Sequence, residues 1–383
     1  MRTIDLFCGC GGLSLGFQRA GFEIIGAFDS WAPALECYSN NFDHQAQYLD
    51  LSKKNIALKV LRPLNPDIII GGPPCQDFSS AGKREEGKRA NLTVAFAKIV
   101  NSIRPSYFVM ENVARAESSV AYQEARQILR KAGYGLTEQV IDSSKCDVPQ
   151  KRKRFFCVGA LNEPDNFLSS YLAANQSVLP LSIRTYFQKN NYDLTFNYYY
   201  RHPRTYSRRA IFSVDEPSPT IRGVNRPKPP EYNMHPNDAT FPQNVRSLTT
   251  QERALIQTFP PSFDFGCNQA YSEQMIGNAV PVNLAYHVAH ALISFINHDE
   301  QNQSLSFIDW LQQNRNYTYH AAKDVISHLS RCNRLLPLQS LSKDMYLAQF
   351  EAIESFNVLS KSIRSQLKRS VVLYSEYTQG SQD

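Results

Sequence analysis

The chain has 383 residues, 42% hydrophobic and 20% charged, with 41 Lys and Arg against 35 Asp and Glu for a formal net charge of +6. Ordinary apolar and aromatic content excludes collagen-like, coiled-coil and largely disordered classes, and the length leaves room for two or three folding units. The longest apolar runs are strand-length, Met1-Arg2-Thr3-Ile4-Asp5 lacks the order of a signal peptide, and eight cysteines are too few for a disulfide scaffold, so cytoplasmic, nucleoid-associated residence with mostly free thiols is expected.

In chain order, Ile4-Asp5-Leu6-Phe7 reads as a short strand running into Gly9-Cys10-Gly11-Gly12, after which Leu13, Leu15 and Phe17 open a helix that stops at Ala20-Gly21. Ile24 to Phe28 forms the next strand and ends at Asp29. Asp67 to Ile70 leads into Gly71-Gly72-Pro73-Pro74-Cys75, Leu92 to Val100 has helical spacing, and Tyr107 to Met110 leads into Glu111-Asn112. Strand, crossover helix and parallel strand in series predict a doubly wound α/β sheet, where ligands bind at the carboxyl ends of the strands. Gly9, Gly11, Asp29, Cys75 and Glu111 each follow a predicted strand, so they should converge on one crevice.

The residue types in that crevice point to a chemistry. Gly9 and Gly11 allow a tight turn and close approach of a ligand, and the helix N-terminus that follows favours a negative group. Asp29 stands about 20 residues on, the spacing at which an acid accepts from ribose hydroxyls. Ser14 replaces the third glycine of G-x-G-x-x-G, which counts against a pyrophosphate and favours S-adenosylmethionine, with its ribose and carboxylate, over NAD. The Gly-Gly-Pro-Pro loop would fix the Cys75 thiol in place, and Glu111, desolvated at a strand end, can hold a proton near neutral pH. Cys8-Gly9-Cys10 is one residue short of C-x-x-C, and His287 and His290 lack the Glu of H-E-x-x-H, so no metal site is expected.

Asp5 to Gly12, Gly72 to Ser79, Glu111-Asn112-Val113, Gln150-Lys151-Arg152-Lys153-Arg154, Arg246 through Glu252 to Pro260, and Gly277-Asn278-Ala279-Val280-Pro281 resemble, in this order, the motifs of the cytosine-C5 DNA methyltransferases. The resemblance implies an α/β fold of the S-adenosylmethionine-dependent methyltransferase type, a Rossmann-like doubly wound sheet with a smaller target-recognition domain. It makes Cys75 the nucleophile that adds to C6 of cytosine and Glu111 the group engaging N3. Arg152 and Arg154 become the cations that assist the thiolate, the second also holding the base. It assigns Phe7, Gly9, Gly11, Gly12, Asp29, Asp50 and Asn278 to S-adenosylmethionine, with Trp31 beside the adenine. Double-stranded DNA is then the substrate, and a type II modification enzyme paired functionally with a restriction endonuclease, acting as a monomer away from membranes, is the expected setting.

Organisation follows as a catalytic and cofactor-binding region over 1–160, target recognition over 161–245, motifs returning to the catalytic domain over 246–299, and a helical extension over 300–383. From Arg201 to Lys228, basic residues mix with aromatics and prolines, which suits contacts with phosphates and bases. Gln150, Arg201, Arg204, Arg208, Arg209, Thr220, Arg222 and Arg226 are the DNA-contacting candidates, and the charged, glycine-bearing stretch 79–89 is a candidate lid over a flipped base. The segments 306–311, 325–329 and 350–374 read as amphipathic helices that brace the fold, touch flanking DNA or hold a partner. A transfer-RNA cytosine methyltransferase of the same architecture and a catalytically silent nucleic-acid-binding module are the alternatives.

Overall fold

The computed structural model describes residues 1–74, 91–174, 176–177, 179–205, 207–266, 268–303, 307–336 and 343–380. Cys75 and the stretch 79–89 lie outside the described residues. The chain folds as two compact units, Met1–Ser294 and Phe295–Asp383.

The first unit is built on a mixed seven-stranded sheet among the described residues. Its strands are β1 (Arg2–Leu6), β2 (Glu23–Asp29), β3 (Ala46–Tyr48), β4 (Ile68–Gly71), β5 (Tyr107–Val113), β6 (Tyr134–Asp142) and, after the two-residue β7 (Gln150–Lys151), β8 (Lys153–Leu161). The order is β3-β2-β1-β4-β5-β8-β6. Connections are made by α1 (Gly12–Arg19), α2 (Ala32–Asn41), α3 (Lys54–Leu61), α4 (Asn91–Ile103) and α5 (Val120–Lys131). The strands β3-β2-β1-β4-β5 pair in parallel. Ile68, Ile69 and Ile70 are fully buried, as expected of a central strand covered on both faces.

The sheet departs from an all-parallel expectation at its far edge, where β8 runs antiparallel to both β5 and β6. The link from β6 to β8 explains this. A parallel return needs a crossover of a dozen or more residues, and between Asp142 and Lys153 there is only a single 3-10 turn and β7. Chain order reverses between β1 and β4: from β1 the chain builds outward through β2 and β3, then returns to the opposite side of β1. The crevice lies above that switch point.

Beyond β8 come α6 (Ser169–Ala174), α7 (Ile183–Lys189), β9 (Tyr198–Tyr200), β10 (Ile211–Ser213), β11 (Ser218–Pro219) and β12 (Arg246–Ser247). A small sheet of order β10-β9-β12 carries this region, and β11 pairs in parallel with β7, tying it to the catalytic sheet. Then α8 (Thr250–Ile256) starts on a Thr249 and Glu252 capping box, and α9 (Gln269–Asn278) and α10 (Val282–Gln303) follow. These return to the start of the chain: a side chain built at Gly12 would sit 2.4 Å from the Val280 carbonyl, and one at Gly16 2.4 Å from Ala285 Cβ. By composition Gln269–Asn297 is apolar enough to cross a membrane, but 67% of its apolar window is buried in the protein. Ala285, Val288, Ala289 and Leu292 are core residues.

The second unit is helical, with α11 (Phe307–Arg315), α12 (Tyr319–Leu335), α13 (Lys343–Glu351), α14 (Glu354–Asn357) and α15 (Lys361–Gly380). Leu329, Cys332, Tyr346, Phe350, Phe356, Leu367 and Val371 form its core. The segment 350–374, expected as one helix, is broken into the end of α13, α14 and α15. Phe356 turns inward against Phe350, ring centroids 4.4 Å apart, and Ser360 then caps α15 by accepting from Ile363 N at 3.4 Å.

Candidate active site

The loop after β1 is strained before it is glycine-rich. Phe7 has φ 63, which costs a bulky residue about 1–3 kcal/mol, and Gly9 (φ 55) and Gly11 (φ 94) continue the left-handed path into α1. Asp29, at the end of the neighbouring β2, fixes this path. Its Oδ2 accepts from Gly9 N at 2.9 Å, and its Oδ1 accepts from Ser30 N at 2.7 Å and Trp31 N at 2.9 Å. Asp50 follows β3, the next strand along. Its carboxylate accepts from the Ser52 hydroxyl at 2.5 Å and pairs with Lys53 at 3.3 Å, and these hydrogen bonds hold it below its usual range despite the small opposing cost of burial. Gly9, Asp29 and Asp50 therefore sit side by side at the carboxyl ends of three adjacent parallel strands.

Trp31 contacts Tyr271 of α9 edge-on, with centroids 6.1 Å apart, so an aromatic wall spans the two halves of the unit. Asn278 ends α9 with an exposed side chain. Tyr271 carried no signal in the sequence, since its partner is 240 positions away. Asp5, on β1 beneath the loop, is also new. Ser14 donates to Asp5 Oδ2 at 2.6 Å, and Tyr38 donates to Ser14 Oγ at 2.9 Å. Tyr38 also lies 2.9 Å from His44 Nε2, and with its own proton on Ser14 it accepts there from the imidazole.

On the other side of the switch point, Glu111 lies within β5, two residues before its end at Val113, rather than just beyond the strand as the apolar run suggested. Arg154, which faces it from β8, binds Glu111 Oε1 through Nε at 2.8 Å with both side chains nearly buried. Burial raises the Glu111 carboxyl above its usual range, and the charges of Arg154 and Arg152 oppose that rise without cancelling it. The second oxygen, Oε2, is turned to the loop after β4: it is 3.1 Å from where a side chain on Gly72 would begin. Asn112 donates to the Pro73 carbonyl at 3.4 Å, so β5 braces the chain that leads to position 75.

Arg152 has a different position from Arg154. It is almost wholly buried and donates to the carbonyls of Ile221 at 2.9 Å, Gly277 at 2.9 Å and Ala279 at 3.0 Å. Burial, and then the nearby charge of Arg154, work against its own charge. Gln150 is likewise buried, donating to Gln257 Oε1 at 2.7 Å and accepting from Ile221 N at 2.8 Å. Gln257 is the matching hub, bonded to the carbonyls of Ile276 and Ala279. Alternation along Lys151 to Arg154 sends the lysines outward, so the sequence pattern marked the two faces but not which inward group meets backbone.

Three arginines of the basic run are also occupied. Arg201 donates to the Thr220 carbonyl at 2.7 Å, while Thr220 Oγ1 donates to Lys151 O at 3.0 Å. Arg209 binds Glu216 through both terminal nitrogens and lies over the Phe212 ring. Arg222 donates to the His202 carbonyl. Arg204, Arg208 and Arg226 are exposed. Six cysteines among the described residues, Cys8, Cys10, Cys37, Cys146, Cys157 and Cys332, are free and buried, and burial raises every one of these thiols. His287 is buried and bonded to the Leu172 carbonyl, so it is a packing residue.

A doubly wound sheet with a glycine turn, strand-end acids and a buried Glu-Arg pair at its switch point defines a class of ligand-binding α/β enzyme. The family model of C-5 cytosine-specific DNA methylases matches residues 1–294, and the chain belongs to that family as a DNA (cytosine-5-)-methyltransferase. It is 53% identical over 304 residues to the Type II methyltransferase M.HgiDI of Herpetosiphon aurantiacus, covering 79% of this chain and 97% of the relative. It is 52% identical over 298 residues to the Type II methyltransferase M.HindV of Haemophilus influenzae, covering 77% and 97%. Among solved structures, the S. pombe Dnmt2 methyltransferase has the same fold, with a TM-score of 0.56 at 18% identity over 79% of this chain and 99% of that one.

Proposed function

We propose that the protein methylates C5 of a cytosine within a specific duplex DNA sequence through a covalent adduct between Cys75 and C6, with the base flipped out of the helix, and that this modification protects DNA from a cognate restriction endonuclease. The observation that carries the reading is the Glu111–Arg154 pair: one carboxylate oxygen is held by Arg154 and the other faces Gly72, three residues before Cys75. The raised Glu111 can keep a proton and donate it to N3 as the thiolate adds to C6. Addition breaks the ring aromaticity and leaves C5 enamine-like, and loss of the C5 proton later releases Cys75. The six described thiols are buried with raised pKa, which leaves them poor nucleophiles.

The crevice fits S-adenosylmethionine. A side chain built on Gly9 would meet nothing within 4 Å, so there is open space over the turn. No side chain caps α1, whose first N–H groups suit a carboxylate. Asp29 holds three backbone N–H groups, and a carboxylate has about four acceptor positions, leaving one for a ribose hydroxyl. When bound, this group supplies the electrophilic methyl. The edge-on pair of Trp31 and Tyr271 would border the adenine, and Asp50, Phe7, Gly11, Gly12 and Asn278 would complete the pocket. The base must leave the stack because addition to C6 and methyl transfer to C5 come from the faces of the ring, which neighbouring base pairs cover in a duplex.

The test is trapping. The protein is incubated with S-adenosylmethionine and a duplex containing 5-fluorocytosine in mixed sequence, with transfer RNA in parallel. A denaturant-resistant complex with duplex DNA, lost in Cys75→Ala, is the expected result; a bound duplex that gives no such complex would rule the mechanism out.

A further inference from the structure

Three of the six arginines from Arg201 to Arg226 that the sequence offers as DNA contacts, Arg201, Arg209 and Arg222, brace the recognition region from within, while Arg204, Arg208 and Arg226 are exposed. A different segment is built to face a partner. Apart from β11, nothing between Val214 and Phe241 is helix or strand, and connections this long inside a compact unit are usually functional. The end of this stretch is not slack. Asp238 Oδ1 accepts from the backbone N–H groups of Ala210 and Ile211, both at 2.9 Å, and its Oδ2 accepts from His235 N at 2.9 Å and the Tyr232 hydroxyl at 2.6 Å. Ala239 N adds a bond to the Ile211 carbonyl at 3.1 Å, and the Tyr232 ring packs edge-on against Tyr200 with centroids 5.5 Å apart. One carboxylate thus locks the loop to β10.

This locked loop holds large apolar side chains in water. Phe241 is 70% exposed and Met234 42%. Fixing them there gains nothing in the free protein, whereas covering them on binding would be favourable. Charge identifies what covers them. The loop itself has no Lys or Arg, but residues 201–246 around it contain eight Lys and Arg against four Asp and Glu, with Arg204, Arg208 and Arg226 exposed, so the surface that meets this region is a polyanion. For a DNA methyltransferase that polyanion is the substrate duplex.

We propose that the loop from Tyr232 to Phe241, locked by Asp238, reads the base pairs beside the target cytosine, with Phe241 and Met234 in apolar contact with base edges. Thymine presents a methyl group in the major groove, the one apolar handle among the four base-pair edges, and a preorganised loop converts that contact into discrimination without an ordering cost. The proposal rests on the cytosine-methylating activity inferred above.

Wild-type protein and the Phe241→Ala, Met234→Ala and Asp238→Ala variants are expressed in a host lacking cytosine methylation, and methylated cytosines are mapped across its genome by bisulfite sequencing. Wild type gives one consensus. Phe241→Ala is expected to relax it at one or more positions, with on the order of tenfold more methylation at sites altered there, and Asp238→Ala is expected to relax the same positions. An unchanged consensus in both Phe241→Ala and Met234→Ala overturns the proposal. Should a variant methylate nothing, fluorescence anisotropy on duplexes with and without the consensus decides: weakening confined to the consensus duplex supports base reading, and equal weakening on both overturns it. No methylated cytosine with wild type would instead defeat the catalytic reading itself.

Discussion

Asp5 is fully buried, and among the described residues its Oδ1 has no hydrogen-bond partner. Burial pushes its carboxyl from 3.8 to about 8; Asp29 adds to the rise and the Ser14 hydroxyl opposes it. Below pH 3.8 folded and unfolded chains both carry the proton and Asp5 has no effect on stability. Between 3.8 and about 8 the unfolded chain has lost it while the folded chain keeps it, so stability falls steadily, and above 8 the loss is complete. Asp5→Asn should therefore match wild type near pH 4 and exceed it by several degrees in Tm near pH 8, as followed by thermal melts across that range; parallel curves would show that Asp5 is ionised in the fold. The sequence shows Asp5 as an acid between apolar neighbours but not its burial, because burial comes from strands that pair only in the sheet. Arg152 was similarly opaque: its three carbonyl partners lie 69, 125 and 127 positions away. Glu111 and Asp29 were readable because each directly follows an apolar run, a local signal.

The elements that were legible are those whose environment is written along the chain. β2, β4 and β5 carry apolar runs that meet Asp29, Gly71 and Glu111, and a strand buried on both faces needs such a run. β3 is three residues of mixed polarity at the sheet edge, with Gln47 and Tyr48 exposed, and carries no such pattern. The antiparallel direction of β6 and β8 depends on the length of their link, which periodicity does not encode. Contacts between elements are sharpest at α9, where a side chain built on Gly277 would sit 2.0 Å from Gly223 N and 2.2 Å from Arg222 C. Both are backbone atoms, so neither can swing aside. Gly277→Ala should lower unfolding free energy by about 1–3 kcal/mol in urea titration, with the loss shared by Gln257→Ala, since Gln257 holds the carbonyls of Ile276 and Ala279 on the same turn. A Gly277→Ala midpoint equal to wild type would mean that α9 and the 222–223 loop separate freely.

At the scale of the whole molecule, the family match stops at Ser294, where the first compact unit also ends. Residues 295–383 contain nine Lys and Arg and nine Asp and Glu, so this unit has no net charge with which to attract phosphates. A chain truncated after Gln303 should keep its methylation consensus and the same slope of log binding constant against log salt; a shallower slope would reveal phosphate contacts in the helical unit. Within the first unit, the turn at Gly12 is closed by Val280 and the face of α1 at Gly16 by Ala285. The floor of the crevice is therefore laid down first, and its wall only after about 270 further residues. At about 5–20 residues per second of synthesis, the ribosome needs roughly 15 to 55 s between those two events, and a nascent chain interrupted in that interval exposes the apolar face of α1 with nothing to cover it. A product terminated before Ala285 therefore lacks the cover of α1 and is open to proteolysis along that helix, whereas one that ends after Gln303 has it.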